Sequence, residues 1–487
     1  MGSFYVENFG CRATQADGAA LESQFLDRGL ERARAADDAE IVVLNTCTVT
    51  EGADKDARAM IRRLQRQNPA CRILVTGCYA QRAPEELASL PGVTWVVGNS
   101  HKHLAAEIAT LDPAQPAHGF VPLAHLSPLG NVIVGDIFAH TELLAAPVFD
   151  SANERTRPNL KVQDGCDNRC SFCVIPYVRG QSRSLPLQRV LAEVRSLVEA
   201  DYREVVISGI NLGRWGRDLE GFVGRAESGK LPTTSVHRLE GLVRAILDHT
   251  SLEKLRISSV EPMDWSDDLI SLMATSPRIA KHAHVPLQSA SDAVLRRMHR
   301  KYRPWHYRQK IEKIRGAMPN AAIGADVMVG FPGETDSEFA ETQRMVEELP
   351  LTYLHVFTYS ARPGTPAAER TDHVPVARAR ERNQALREMA AKKKSEFLQT
   401  QVGNTIPAIT LRSVGRGFTE ALTDNYLKIK IAGTLPSNRW MDMRVESSDG
   451  DSLLGRSVRS HHGTQSEVTL GATQKSNNLI DLQPFAG

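Results

Sequence analysis

Residues 164–180 read DGCDNRCSFCVIPYVRG and carry three cysteines, Cys166, Cys170 and Cys173, at a C-x3-C-x2-C spacing. Thiolates are ligands for soft and borderline metals, so such a cluster in one loop predicts a metal site. A structural zinc ion takes four protein ligands in a closed tetrahedron. Only three are present here, and no histidine lies between Lys161 and Val236 to complete the set. An iron–sulfur cube answers the count differently: three thiolates hold three irons, and the fourth iron keeps an open position for a ligand from solution. A structural zinc loop and a chance grouping are the alternatives, and the spacing together with a barrel context favours the cube.

Three more cysteines, Cys11, Cys47 and Cys78, end the apolar runs FYVENFGC, EIVVLNTC and RILVTGC. Each run is predicted as a buried strand. The carboxyl ends of parallel strands form the ligand crevice of an open α/β sheet. Neighbouring strands lie about 4.8 Å apart, so thiolates at adjacent strand ends can converge. Taken alone, however, these three read better as buried, inert cysteines. Cys71 opens a strand at the opposite end of the sheet and reads as a small buried hydrophobe.

The elements that must position these residues follow from patterning. Residues 1–125 alternate buried strands with helical stretches such as DKDARAMIRRLQRQ, the rhythm of a parallel α/β sheet. Residues 112–158 are weakly periodic and read as a connector. Residues 150–396 hold six candidate strands, NLKVQ, EVVISG, KLRISSV, HAHVPLQ, GADVMVGF and LHVFTYS, separated by helical patterns. Six βα units in a row predict a (β/α)6 partial barrel. The stretch 217–236 reads as a surface insertion. After a charged helix over 377–396, short alternating strands such as TIPAITLRS and NYLKIKIAG predict a small antiparallel β-barrel over 397–460, followed by a Ser/Gly/Asn-rich tail over 461–487.

Bulk properties exclude several classes. The 487 residues carry a net charge of +2, with 41% apolar and 24% charged residues, an ordinary globular mixture. Seven cysteines are too sparse for a disulfide scaffold, and a reducing compartment, the cytoplasm, fits them better. The N-terminus MGSFYVENFGC shows no secretory pattern, and no apolar run is long enough to span a membrane.

The three-cysteine loop after the first strand of a βα barrel resembles the signature of the radical S-adenosylmethionine (SAM) enzymes. GCRATQADG, NTCTVTEGADKDAR and TGCYAQ are similar to the N-terminal domain of the methylthiotransferases, and the order of three domains matches that family over about residues 3–460. The resemblance implies two [4Fe–4S] clusters, one on Cys166, Cys170 and Cys173 and one on Cys11, Cys47 and Cys78. SAM would chelate the open iron of the first and be cleaved to a 5′-deoxyadenosyl radical. It implies that Phe172 packs on the SAM adenine, that the glycine-rich turn at Gly330 lines it, and that Gly209, Glu261 and Gln288 at strand ends contact SAM or substrate. It also implies that one SAM supplies the methyl group to a sulfur held at the N-terminal cluster. Thr14 departs from the pattern, which has Asn three residues after the first cysteine. The C-terminal barrel resembles a TRAM domain, an RNA-binding module.

The motifs ISGINLGRWG, RISSVEP and VPLQSASDAVLRRMHRKY look most like the subgroup that methylthiolates carbon 2 of N6-threonylcarbamoyladenosine beside the tRNA anticodon. Alternatives are an enzyme acting on N6-isopentenyladenosine, one acting on a ribosomal-protein aspartate, and an iron–sulfur RNA-binding protein without catalysis. Expected partners are the tRNA anticodon stem-loop and an electron donor such as flavodoxin or ferredoxin, with a monomer as the expected state. Residues 296–315 carry nine Lys/Arg against one Glu, interleaved with Tyr302, Trp305 and Tyr307. The basic groups suit phosphates, while the aromatics read better as ordinary core. A threonylcarbamoyl group ends in a carboxylate and needs a cation, for which Arg214, Arg217, Arg256 and Arg303 are candidates.

Overall fold

A computed structural model describes residues 2–110, 131–139, 143, 156–219, 238–413 and 417–458. The expected tail at 461–487 and most of the expected insertion at 217–236 lie outside the described residues, as do large parts of the 112–158 connector.

The first unit holds strands β1 (Ser3–Asn8), β2 (Glu31–Arg32), β3 (Ile41–Thr46), β4 (Arg72–Gly77), β5 (Val93–Gly98) and β6 (Val132–Ile133). They form one parallel sheet in the order β2-β1-β3-β4-β5-β6. Its helices are α1 (Arg12–Asp27), α2 (Glu51–Gln67), α3 (Cys78–Arg82), α4 (Pro84–Ala88) and α5 (Ala105–Thr110). β3 is IVVLNT with every residue buried, as a parallel strand covered on both faces requires. α2 starts at Thr50, whose Oγ1 accepts from Ala53 N at 3.3 Å, and it buries Ala57, Ile61 and Leu64 along one face. The sequence pattern shows β1, β3 and β4 but not β5, and β6 falls in the stretch read as a connector. A two-residue strand is too short to leave a period.

The second unit holds β7 (Asn159–Asp164), β8 (Arg183–Ser184), β9 (Glu204–Gly209), β10 (Lys254–Ile257), β11 (His282–His284), β12 (Ala322–Val329) and β13 (Tyr353–Thr358). Between and after them run α6 (Ile175–Arg179), α7 (Leu187–Glu199), α8 (Leu239–His249), α9 (Asp267–Thr275), α10 (Asp292–Arg297), α11 (Pro304–Ala317), α12 (Asp336–Glu348) and α13 (Val376–Gln401). β10-β9-β7 and β11-β12-β13 are parallel, and a Leu255–Ile279 bridge continues one into the other. This is the six-stranded partial barrel, with β8 antiparallel outside β7. Leu255, Ile257, Ala283, Ile323, Ala325 and Val327 pack outward against the helices in one core. The alternate residues therefore line the lumen, and they include Lys161, Glu204, Arg256, His284 and Asp326.

The third unit is a closed barrel in the order β14-β15-β16-β18-β17, from β14 (Thr405–Ser413), β15 (Phe418–Thr423), β16 (Lys428–Ala432), β17 (Trp440–Ser448) and β18 (Leu453–Ser457). It sits against the amino ends of the second unit's strands: Lys254 Nζ meets Asp424 at 3.1 Å, Arg256 Nη1 donates to Asp424 O at 3.1 Å, and Asn425 Nδ2 donates to Asn320 O at 2.9 Å.

Candidate active site

The six cysteines fall where the strand ends predict. Cys11 is the N-cap of α1, Cys47 directly follows β3, and Cys78 opens α3 directly after β4. A helix start favours the thiolate, because its free N–H groups carry partial positive charge. Burial pushes the Cys47 thiol up to about 12, and Cys78 and Cys11 add to the shift, so the three thiols feel one another. Thr14, where the family pattern has Asn, still reaches the first cysteine: its Oγ1 lies 3.5 Å from Cys11 Sγ. Asn99 Nδ2 donates to Cys78 Sγ at 3.6 Å. Cys71 precedes β4 at the other end of the sheet and is half-buried against the apolar core.

The second triplet sits between β7 and α6. Gly165 has φ +70°, and a Cβ there would lie 1.8 Å from Gln181 O, so only glycine lets the chain turn into the loop. Cys166 N donates to Gly180 O at 3.0 Å and Cys173 N to Cys170 O at 3.1 Å. Two polar groups address the sulfurs: Asn211 Nδ2 lies 3.6 Å from Cys166 Sγ, and Arg300 Nη1 lies 3.3 Å from Cys170 Sγ. Arg300 also pairs with Glu261, so the predicted Glu261 is tied to the cysteine loop through a residue that stands in the sequence only as one more cation of a basic run. Burial, with Cys170 next, pushes the Cys173 thiol up to about 12.

Gly209 closes β9, and Gln288 follows β11 with φ +61°, its N–H donating to Asp326 O at 2.8 Å. Gly330 follows β12, and its N–H donates to Glu334 Oε2 at 2.7 Å. Phe172 packs edge-on against Phe331, with ring centroids 6.4 Å apart. All of these stand at the carboxyl ends of the strands, on the face that carries the cysteine loop.

The triplets sit on neighbouring elements. Val174 and Val178, just past Cys173, pack on Cys78, and Asn99 Nδ2 also donates to Val178 O at 2.7 Å. Beneath them lies a buried ionic network that crosses the two units. Asp17 of α1 receives Lys102 Nζ at 2.9 Å and Arg179 Nη2 at 2.9 Å, and it also pairs with Lys161. Asp164 receives Lys161 Nζ at 2.8 Å and Arg179 Nη1 at 3.0 Å. Burial alone would raise both carboxyls, but Arg179 and its neighbouring lysines outweigh it and hold them below their ordinary range. Three cations against two carboxylates leave one positive charge buried near Cys78 and Cys11. No local pattern announces this network, because its members are spread from residue 17 to residue 179.

The donor sets suit a polynuclear cluster. Each offers three sulfurs, and Asn211 and Arg300 address two of the sulfurs in the barrel triplet.

Residues 3–98 match the family described as uncharacterized protein family UPF0004, and residues 160–346 match the radical SAM superfamily. The threonylcarbamoyladenosine tRNA methylthiotransferase MtaB of Bacillus subtilis is 36% identical over 440 residues, covering 89% of this chain and 91% of the relative. Its namesake from Aquifex aeolicus is 34% identical over 88% of this chain and 96% of its own length. The chain belongs to the radical-SAM methylthiotransferase family. A tRNA-2-methylthio-N(6)-dimethylallyladenosine synthase of Novosphingobium aromaticivorans is 33% identical over 84% of this chain and 87% of its own. Among solved structures, the radical SAM methyltransferase TsrM of Kitasatospora setae aligns with a TM-score of 0.53 at 16% identity, over 75% of this chain and 74% of that one, a likeness of fold. As a radical-SAM methylthiotransferase, the enzyme takes SAM and a [4Fe–4S] cluster.

The basic run at 296–315 is not a free stripe in this methylthiotransferase. Arg296 and Arg303 pair with Asp292, Arg297 with Glu338, Arg308 with Glu348 and Lys313 with Asp267. Tyr302 and Tyr307 are core residues, with hydroxyls donating to Leu287 O at 2.5 Å and Val285 O at 2.9 Å, while Trp305 is 58% exposed. The four arginines expected to meet a substrate carboxylate are engaged too: Arg214 and Arg217 hold Asp264, Arg256 holds Glu204, and Arg303 holds Asp292.

Proposed function

We propose that this protein adds a methylthio group to carbon 2 of N6-threonylcarbamoyladenosine beside the anticodon of tRNA. The 36% identity to the Bacillus subtilis enzyme, over nine-tenths of both chains, carries this reading. When bound, the barrel cluster and SAM would supply the radical that activates the C–H bond, and a further SAM would supply the methyl group to a sulfur held at the N-terminal cluster. Cys166, Cys170 and Cys173 hold the SAM cluster, with Arg300 and Asn211 donating to their sulfurs. Cys11, Cys47 and Cys78 hold a second [4Fe–4S] cluster, and the excess positive charge of the Asp17 network offsets its negative charge. Phe172, Gly209, Glu261, Gln288 and Gly330 form the SAM cradle at the strand ends. No side chain is assigned as a general base.

The division of labour runs over 1–125 for the second cluster, 150–396 for SAM chemistry and 397–460 for RNA binding. Lys428 and Lys430 project from the exposed face of β16 to meet phosphates, Lys430 exchanging its surface pair with Asp449 to do so. The enzyme works as a monomer in the cytoplasm, with flavodoxin or ferredoxin as electron donor. Among the described residues, no helix is long and apolar enough to cross a membrane.

The deciding experiment offers the reconstituted enzyme two purified tRNAs, one carrying threonylcarbamoyladenosine and one isopentenyladenosine, and quantifies methylthio nucleosides by mass spectrometry. Product from the first alone supports the proposal. Equal or greater turnover on the second would promote the other reading, which the 33% identical Novosphingobium relative favours.

A further inference from the structure

His284, Asp326 and His355 come from three adjacent parallel strands and converge inside the barrel, apart from either cysteine triplet. Asp326 pairs directly with His355 in the β12–β13 register, and His284 pairs with Gly324 in the β11–β12 register. Asp326 Oδ1 lies 3.2 Å from His355 Nδ1 and 3.2 Å from His284 Nε2. All three donor atoms lie within 4.8 Å of one another.

The His355–Asp326 contact is a hydrogen bond at the long end of the ordinary range of about 2.7–3.2 Å. His284 is more than nine-tenths buried, and its Nε2 finds no hydrogen-bond partner although it points at the carboxylate. A separation near 3.2 Å is also what two ligands show when both stand roughly 2.1 Å from one ion. Two imidazoles and one carboxylate on one side of an ion, with the other positions open, are a recurrent donor set for first-row divalent cations.

The surroundings fix the ligands. Gly324 leaves room for Tyr353: a Cβ at 324 would lie 2.1 Å from Tyr353 Cζ. The Tyr353 ring therefore lies across the bare strand beside the ligands, and its hydroxyl is 2.7 Å from His282 Nε2. His355 is 56% exposed and borders a cleft of about 660 Å³ shared with Tyr353, Tyr426 and Lys428, so an ion has an entry path.

We propose that His284, Asp326 and His355 form a mononuclear site for a first-row divalent cation of the zinc and cobalt class. Its open positions suit an anionic oxygen donor. The arginines that a substrate carboxylate was expected to meet are already paired, so the carboxylate of a threonylcarbamoyl group is the ligand this cation would take, an extension that rests on the function proposed above.

The test loads the full-length, anaerobically reconstituted enzyme with Co²⁺ or Zn²⁺, removes free metal by gel filtration, and counts metal per chain by mass spectrometry. About one equivalent beyond iron is expected. His355→Gln, at an exposed position that does not threaten folding, should raise the apparent Kd at least tenfold, and Asp326→Asn should do the same. The triple variant Cys166→Ala/Cys170→Ala/Cys173→Ala should keep the equivalent. No retained metal in the wild type, or unchanged binding in both ligand variants, overturns the site. For the extension, KM for threonylcarbamoyl-tRNA should rise in Asp326→Asn when metal is present, and an unchanged KM overturns it. A wild-type enzyme inactive on that tRNA would remove the function proposed above while leaving the metal count to stand by itself.

Discussion

Arg300 shows how much of this site depends on one side chain. It donates to Cys170 Sγ at 3.3 Å and pairs with Glu261, itself at a strand end. Hydrogen bonds to cluster sulfurs raise reduction potentials, because they stabilise the more negative reduced state. Arg300→Met should therefore lower the potential of the barrel cluster, on the order of a hundred millivolts at an effective dielectric near 20. An EPR-monitored redox titration reads this directly, and an unchanged potential would remove Arg300 from the role. Cys71 is the internal control: Cys71→Ala should leave iron and sulfide content as in the wild type, whereas replacing either triplet should halve both.

At the scale of elements, the cysteine loop depends on the turn that leads from β7 into it. Gly165 sits at φ +70° with the Gln181 carbonyl in the place where a side chain would begin. Gly165→Ala combines a strained backbone with a backbone clash, so it should cost on the order of 1–3 kcal/mol and lower iron loading at the barrel triplet only. Thermal unfolding and iron analysis check the two parts separately. On β16, Lys428 and Lys430 alternate with buried Ile429 and Ile431, so both can change without touching the core. Lys428→Glu/Lys430→Glu should weaken tRNA binding and flatten its log–log salt slope by about 0.7 for each single-strand phosphate deprived of its lysine. Filter binding at several salt concentrations measures it.

The whole molecule is held together by charge as well as by apolar packing. Asp17 joins α1 of the first unit to β7 and α6 of the second through Lys161 and Arg179. Asp17→Asn leaves three buried cations facing one carboxylate, a loss of about 3–5 kcal/mol, read by denaturant unfolding of the metal-free protein. The depressed carboxyls of Asp17 and Asp164 give the sign of the pH effect. Their contribution is complete above an unfolded pKa of about 3.9 and fades as pH falls toward the lower folded values, so the interface should weaken only in acid. The third unit is tied down as firmly, since Arg256 donates hydrogen bonds to the Thr423 and Asp424 carbonyls. Cutting the chain near residue 397 would strip partners from a buried guanidinium, so surface charge changes are the better probe of RNA binding.

The sequence by itself determined where the six cysteines stand along the strands and the loop, the parallel sheet, the six βα units and the closing barrel. Those features are local: alternation marks strands, helical spacing of apolar residues marks helices, and a cysteine at a strand's carboxyl end can be placed without knowing the partner strand. Only the tertiary structure decided which charges are free. The run at 296–315 looks basic as a string, yet its acids lie outside it: Asp292 one helical turn before Arg296, and Asp267, Glu338 and Glu348 on other elements. The same holds for the Asp17 network and for His284, Asp326 and His355. Each residue of that trio is an ordinary inward position of its own strand, and only the register across β11, β12 and β13 turns three such positions into one set of ligands.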